Sequence, residues 1–166
     1  MIALYPGTFD PVTNGHLDII ERCSKKFEKV IVAVLNNTSK KTVFSVQERS
    51  DLIKEVTKDY ENVEVDTFSG LLIDYVKKRD VGVIVRGLRA VSDFEYEMQM
   101  ALTNKSLYDK AETFFLISSS QYSFLSSSVV REVARFKGDV SSLVPSAVQI
   151  AIEKKFKEGQ DNNGCF

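Results

Sequence analysis

The sequence predicts an α/β fold, a doubly wound sheet of five parallel strands. Three observations predict it. Five short apolar runs rich in β-branched residues recur along the 166 residues. Stretches with apolar residues at helical spacing separate them. Small, polar and basic residues follow each apolar run, at the sheet edge where such folds place ligands.

Residues 2–5 (Ile-Ala-Leu-Tyr) form the first strand, which stops at Pro6. Leu17, Ile20, Cys23 and Phe27 then recur at helical spacing. Residues 30–35 (Val-Ile-Val-Ala-Val-Leu) are near-continuously β-branched, as expected of a strand covered on both faces. Ser45-Val46-Gln47-Glu48 is a capping-box sequence and opens a helix carrying Leu52, Ile53 and Val56. Residues 63–68 form the third strand and 71–78 a short helix. The fourth strand covers 81–85 and is ended by Arg86-Gly87. A helix over 94–107 sets Phe94, Met98, Ala101 and Leu102 on one side. Residues 112–117 form the fifth strand. Closing helices cover 129–136 and 147–156, the second just after Pro145. Strands alternating with helices imply right-handed parallel crossovers. One domain is expected over 1–157, with 158–166 as a flexible tail.

A chain of this length buries about 70% of its unfolded surface, so no covalent staple is needed. Apolar content of 43% and charged content of 27% describe an ordinary soluble globule. A net charge of −1 excludes whole-protein electrostatic binding of nucleic acid or anionic membrane, while allowing a local basic pocket. Cys23 lies on an apolar helix side and reads as core filler, and Cys165 lies in the tail. The two make no disulfide framework, and no Cys/His set has zinc spacing. No apolar run approaches the ~20 residues of a membrane span. No charged-then-apolar leader opens the chain, so a cytoplasmic setting is expected.

The most informative stretch is Tyr5-Pro6-Gly7-Thr8-Phe9-Asp10-Pro11-Val12-Thr13-Asn14-Gly15-His16. It runs from a strand through a small-residue loop into a helix start. Free backbone N–H groups and the positive end of a helix dipole then converge, which makes a phosphate site. The only histidine, His16, stands there and suggests chemistry at phosphorus. Asn36 to Lys41, Ser69-Gly70-Leu71-Leu72, Arg86-Gly87-Leu88-Arg89, and Ser118 to Arg131 follow the other strands. A parallel sheet would gather them on one rim suited to a polyphosphate.

Each of these features also has a plain structural reading. Gly7 and Gly15 could serve turns, and Lys40 and Lys41 a solvated loop. Arg86 and Arg89 could cap a helix or pair with Asp93 and Glu95, and the serines could be N-caps. The chain has neither a P-loop nor a dinucleotide fingerprint, and its single histidine supports no Ser/His/Asp triad. No carboxylate cluster resembles a metal cage. Mg²⁺ commonly keeps waters and borrows substrate phosphates, with Asp10 as a candidate outer contact.

Gly7-Thr8-Phe9-Asp10-Pro11-x-Thr13-x-Gly15-His16 resembles the Thr/His-x-Gly-His signature of the nucleotidyltransferase superfamily. Leu125-Ser126-Ser127-Ser128-Val129-Val130-Arg131 resembles its second signature, Ile-Ser-Ser-Thr/Ser-x-x-Arg/Lys. With Tyr5-Pro6-Gly7, Ser39-Lys40-Lys41, Arg86-Gly87-Leu88-Arg89-Ala90 and Asp93-Phe94-Glu95-Tyr96-Glu97, residues 4–155 resemble the phosphopantetheine adenylyltransferase family. Thr13 replaces the histidine of cytidylyltransferase relatives. Leu125 and Ser128 replace the Ile and Thr common elsewhere in the superfamily.

The resemblance implies a Rossmann-like fold, a homohexamer, and adenylyl transfer from ATP to 4′-phosphopantetheine. The products would be dephospho-coenzyme A and pyrophosphate, and Mg²⁺ the cofactor. It implies that His16 stabilises the transition state. ATP would be bound by Thr8, Phe9, His16, Gly87, Leu88, Arg89, Glu97, Tyr122, Ser123, Phe124, Leu125, Ser126, Ser127 and Ser128. Thr8, Lys40, Leu72 and Arg86 would bind phosphopantetheine, and only the resemblance chooses Lys40 over Lys41. Two other readings stand beside this one. One is a different nucleotidyltransferase, acting on nicotinamide mononucleotide or using CTP. The other is a nucleotide-sensing module without turnover. Adenylyl transfer requires His16, Arg86, Arg89 and the serine-rich segment to share one mouth.

Overall fold

The computed structural model of the chain describes residues 1–37 and 41–161, with side chains up to residue 157. Five strands form one parallel sheet: β1 (Ile2–Gly7), β2 (Lys29–Leu35), β3 (Val63–Phe68), β4 (Val83–Leu88) and β5 (Glu112–Ile117). Their spatial order is β3-β2-β1-β4-β5, the doubly wound Rossmann-like arrangement with its switch point between β1 and β4. The helices are α1 (Asn14–Ser24), α2 (Val46–Thr57), α3 (Leu72–Lys78), α4 (Val91–Leu107), α5 (Ser127–Arg135) and α6 (Ser146–Asp161). A 3₁₀ turn, Ser120–Tyr122, follows β5.

Alternate strand residues build two cores because successive side chains point to opposite faces. Ala3, Tyr5, Val30, Val32, Val34, Val83 and Val85 pack with Ile19, Ile20, Ile53, Val130 and Val148. Leu4, Ile31, Ala33 and Ile84 pack on the other face with Ile73 and Val76 of α3. The near-continuous apolar run of β2 follows from this two-sided burial. Cys23 is fully enclosed in the first core, as its helical spacing predicted, and burial pushes its thiol up to about 11.

The ladder at the switch point is short. The β1–β2 register runs from Ile2↔Lys29 to Gly7↔Val34, and the β4–β5 register from Val83↔Glu112 to Leu88↔Ile117. Between β1 and β4, only Ala3↔Val83 and Leu4↔Ile84 pair. The next residue of β1 facing β4 is Pro6, which has no N–H to donate. Its carbonyl instead accepts a 3.1 Å bond from the Arg86 guanidinium. The two strands part beyond that point, and their carboxyl ends frame a crevice.

Four expectations need correction. β4 does not end at Val85. It starts later, at Val83, and runs through Arg86, Gly87 and Leu88, because β5 supplies partners Phe115, Leu116 and Ile117. The serine run is partly helical, since α5 begins at Ser127 with Ser126 as its N-cap. The apolar side of α4 does not face the core. Phe94 is 40% and Leu102 65% exposed, and Asn104 is the buried residue of this helix. The expected tail begins later than residue 158, because α6 runs through Asp161; residues 162–166, Cys165 among them, lie outside the described residues.

The capping box ahead of α2 forms as its spacing predicted. The Ser45 hydroxyl accepts from the Glu48 N–H at 3.2 Å, and the Glu48 carboxylate accepts from the Ser45 N–H at 2.7 Å. Ser45→Ala is expected to lower unfolding free energy by about 1 kcal/mol in urea titrations.

Candidate active site

An open cavity of about 250 Å³ lies where β1 and β4 diverge. Tyr5, Pro6 and Gly7 of β1 and Arg86 and Gly87 of β4 contribute from the sheet, and Glu97 from α4. Thr13, Gly15 and His16 bring the N-terminus of α1 to the cavity, and Ser126 and Ser127 that of α5. Two helix starts therefore direct their positive dipole ends at one volume, an arrangement that favours phosphate.

His16 is fixed by a capping box. Thr13, the N-cap of α1, accepts from the His16 N–H through Oγ1 at 3.3 Å. The Thr13 N–H donates to His16 Nδ1 at 3.1 Å. Nδ1 is therefore the unprotonated nitrogen, and the neutral ring carries its hydrogen on Nε2. Burial, reinforced by the positive charge of Arg89, lowers the His16 pKa from 6.5 to about 4. At neutral pH the site holds an uncharged imidazole with one N–H to offer.

The ring is braced from the loop below it. Phe9 meets His16 edge-on, with centroids 5.1 Å apart, and Tyr5 with centroids 5.4 Å apart. Phe9 adopts φ +49, a left-handed conformation that bulky residues rarely take, and is 3% exposed. Packing against both rings holds it there. Gly7 makes room, because a Cβ at that position would stand 2.8 Å from the Phe9 ring.

Three charged residues lock the loop from outside the cavity, and one of them, Arg49, escaped the sequence reading. Both Asp10 carboxylate oxygens accept 2.9 Å bonds, one from the Val43 N–H and one from the Phe44 N–H. Asp10 is thus a strut between loops, which tells against the outer metal contact expected of it. Buried Arg49 donates to the carbonyls of Thr8 (2.7 Å), Leu35 (3.1 Å) and Phe44 (3.2 Å). It gathers the ends of β1 and β2 with the start of α2. Arg131, part of the second signature, donates to the Asp10 carbonyl at 2.6 Å, and Ser127 Oγ donates to the Pro11 carbonyl at 2.8 Å. The two signature segments are therefore physically stitched together.

Arg86 forms a bidentate pair with Glu97, at 2.5 and 2.6 Å. Burial opposes the guanidinium charge, but the Glu97 contact outweighs it and the Arg86 pKa stands above its ordinary value. Arg89 pairs with Asp93 at 2.9 and 3.0 Å. Of the pairings allowed by sequence, Asp93 is realised, whereas Arg86 takes Glu97 rather than Glu95.

The cavity brings together Phe9, His16, Arg86, Gly87, Arg89, Glu97, Tyr122, Leu125, Ser126 and Ser127. It omits the other described residues expected at the site. Thr8 presents its carbonyl to Arg49. Leu88 ends β4, its carbonyl accepting from the Ser118 N–H and hydroxyl. Ser123 bonds the Ser120 carbonyl, Phe124 is exposed, and Ser128 Oγ accepts from Arg131. Leu72 begins α3 and packs beside the second core. Lys40 lies outside the described residues. The sequence reading placed Ser118 on the rim and Tyr5 and Pro6 in the site's first segment without giving them a ligand, and it missed Ile19 as a lining group. Strand alternation was the signal for Tyr5, once β1 was known to continue past it.

The comparisons fit this geometry. The cytidylyltransferase-like family model matches residues 4–133, and the chain belongs to that family of nucleotidyltransferases. A phosphopantetheine adenylyltransferase of Dictyoglomus turgidum is 57% identical over 155 residues, covering 93% of this chain and 97% of that relative. Within the family, the chain belongs with the phosphopantetheine adenylyltransferases. A solved structure from Vibrio parahaemolyticus, assigned as a nicotinate-nucleotide adenylyltransferase, superposes with a TM-score of 0.69. It covers 91% of this chain and 97% of its own at 16% identity, and attests the fold alone.

The single histidine makes its protonation directly readable. Its imidazole resonances are expected to titrate with a midpoint near pH 4, and a midpoint at 6.5 would contradict the half-buried neutral ring. Between pH 6.5 and about 4 the unfolded chain binds a proton that the folded chain refuses. This contribution to stability is thus intact above pH 6.5 and declines as pH falls through that window.

Proposed function

We propose that this chain transfers the adenylyl group of ATP to 4′-phosphopantetheine, yielding dephospho-coenzyme A and pyrophosphate. The observation that carries the reading is a neutral His16 with Nε2–H in a cavity flanked by two arginines and two helix N-termini. A phosphate monoester is already an anionic nucleophile at neutral pH, so no strong base is required. Its oxygen attacks the α-phosphorus of ATP in line. A bond forms between that oxygen and the α-phosphorus, and the bond from the α-phosphorus to the bridging oxygen of pyrophosphate breaks.

The work of the protein is to bring two anions together and stabilise charge developing at the α-phosphoryl group. His16 Nε2–H donates to an α-phosphoryl oxygen. Arg89 and the starts of α1 and α5 hold the triphosphate, with Phe9, Gly87, Glu97 and the segment from Tyr122 to Ser128 about the rest of ATP. Arg86, with its planar fork, and Lys40 take the acceptor phosphate, and Thr8 and Leu72 flank it. Mg²⁺ enters as part of the nucleotide substrate. Among the described residues no group of three or more acidic, His or Cys side chains could cage a metal. Asp10 is spent on Val43 and Phe44, so no step here is assigned to a protein-held ion.

The exposed apolar side of α4 supports a homohexamer, as does the edge strand β5 with Phe114 and Ile117 uncovered. No helix among the described residues is long and apolar enough to cross a membrane, and the reading takes a cytoplasmic setting.

Pyrophosphate release on mixing ATP with phosphopantetheine, and not with nicotinamide mononucleotide, is the expected result. His16→Ala should lower turnover by ~10²–10³-fold with the fold intact by circular dichroism. Near-normal turnover at saturating substrates would remove His16 from the mechanism. Sedimentation equilibrium should give a particle of six chains, and a monomer at all concentrations would eliminate the proposed assembly.

A further inference from the structure

Tyr5 stands on the cavity floor with its hydroxyl uncommitted. The residue is 6% exposed, yet Oη makes no hydrogen bond with any described residue. Among the serine and threonine side chains that also line the cavity, Ser118 and Ser127 donate to carbonyls of the fold, and Thr13 and Ser126 accept from helix N–H groups. Every fully enclosed side-chain polar atom among the described residues has a partner, so Oη opens on the cavity rather than being sealed beneath it. A phenol hydroxyl that faces the cavity without a protein partner is free to donate to a ligand there.

Its position narrows the choice of acceptor. A Cβ at Gly87 would lie 3.5 Å from Tyr5 Oη and 3.4 Å from Ile19 Cγ1. The hydroxyl therefore emerges beside a bare stretch of β4 and an aliphatic side chain. Burial holds the phenol protonated, so it acts as a neutral donor. The cationic and dipolar groups suited to phosphates are Arg86, Arg89 and the two helix starts. Arg86, whose charge reaches Tyr5, is neutralised by its pair with Glu97, so the surroundings of the hydroxyl suit an uncharged acceptor.

We propose that the Tyr5 hydroxyl binds substrate, donating a hydrogen bond from the cavity floor to an uncharged acceptor on the nucleoside part of ATP. This rests on the adenylyl-transfer reading above. No established partner inside the protein is lost in Tyr5→Phe, which makes that variant a clean probe. The binding contribution of one neutral hydrogen bond corresponds to about a 3- to 10-fold change in affinity.

Wild type and Tyr5→Phe are compared in both reaction directions, together with their melting temperatures. In the forward direction, KM for ATP should rise about 3- to 10-fold while KM for phosphopantetheine is unchanged. In reverse, KM for dephospho-coenzyme A, which carries the adenosine, should rise similarly while KM for pyrophosphate stays constant. Melting temperature should be equal or higher, because the fold loses no bond. An unchanged KM for ATP, an effect confined to pyrophosphate or phosphopantetheine, or a lower melting temperature would each overturn the proposal. Wild type without pyrophosphate release would overturn the underlying reading as well, whereas active wild type with an indifferent variant overturns only the role of Tyr5.

Discussion

A missing hydrogen-bond donor organises this molecule. Pro6 occupies the position on β1 where the ladder to β4 would otherwise continue. The two central strands separate there, in the middle of a sheet whose neighbouring ladders remain complete. Everything functional is arranged around that separation. The Arg86 side chain reaches back to the orphaned Pro6 carbonyl, so the crevice is wedged by a cation rather than left empty. The loop after β1 and the start of α5 then close over the carboxyl ends of the strands.

Rigidity on the loop side comes from charges placed behind the cavity. Asp10, Arg49 and Arg131 bind backbone groups of neighbouring segments, and each is largely withdrawn from solvent. Their arrangement holds Phe9 in an unfavourable backbone conformation, and Phe9 in turn supports the imidazole. Thr13 completes the device by fixing which ring nitrogen carries hydrogen. The outcome is a neutral donor held in place before any substrate arrives, which is the condition under which a hydrogen bond lowers a reaction barrier most effectively.

Much of this was legible in sequence. Five apolar runs marked the five strands, Ser45 and Glu48 announced their helix, and the two signature segments pointed to one rim. The end of β4 was not legible, because Arg86-Gly87 reads locally as a stop and only pairing with β5 extends the strand. The spacing of Phe94, Met98 and Leu102 gave a helix correctly but could not say that its apolar side looks outward. Burial of Arg49 was equally hidden, since an arginine in an amphipathic helix normally signals solvent. Its four carbonyl contacts come from segments distant in sequence as well as from its own turn. Local pattern reports propensity, whereas these features are decided by tertiary partners.

The pairing of Arg86 with Glu97 carries a consequence for how the two substrates communicate. On the proposed assignment, the arginine belongs to the acceptor half of the site and the glutamate to the nucleotide half. One ion pair therefore spans both halves. Any ligand that loosens or tightens it alters the free energy available to the other ligand. Thermodynamic reciprocity makes the influence equal in both directions. The strength of the coupling between the two substrates then becomes a property of a single guanidinium–carboxylate contact.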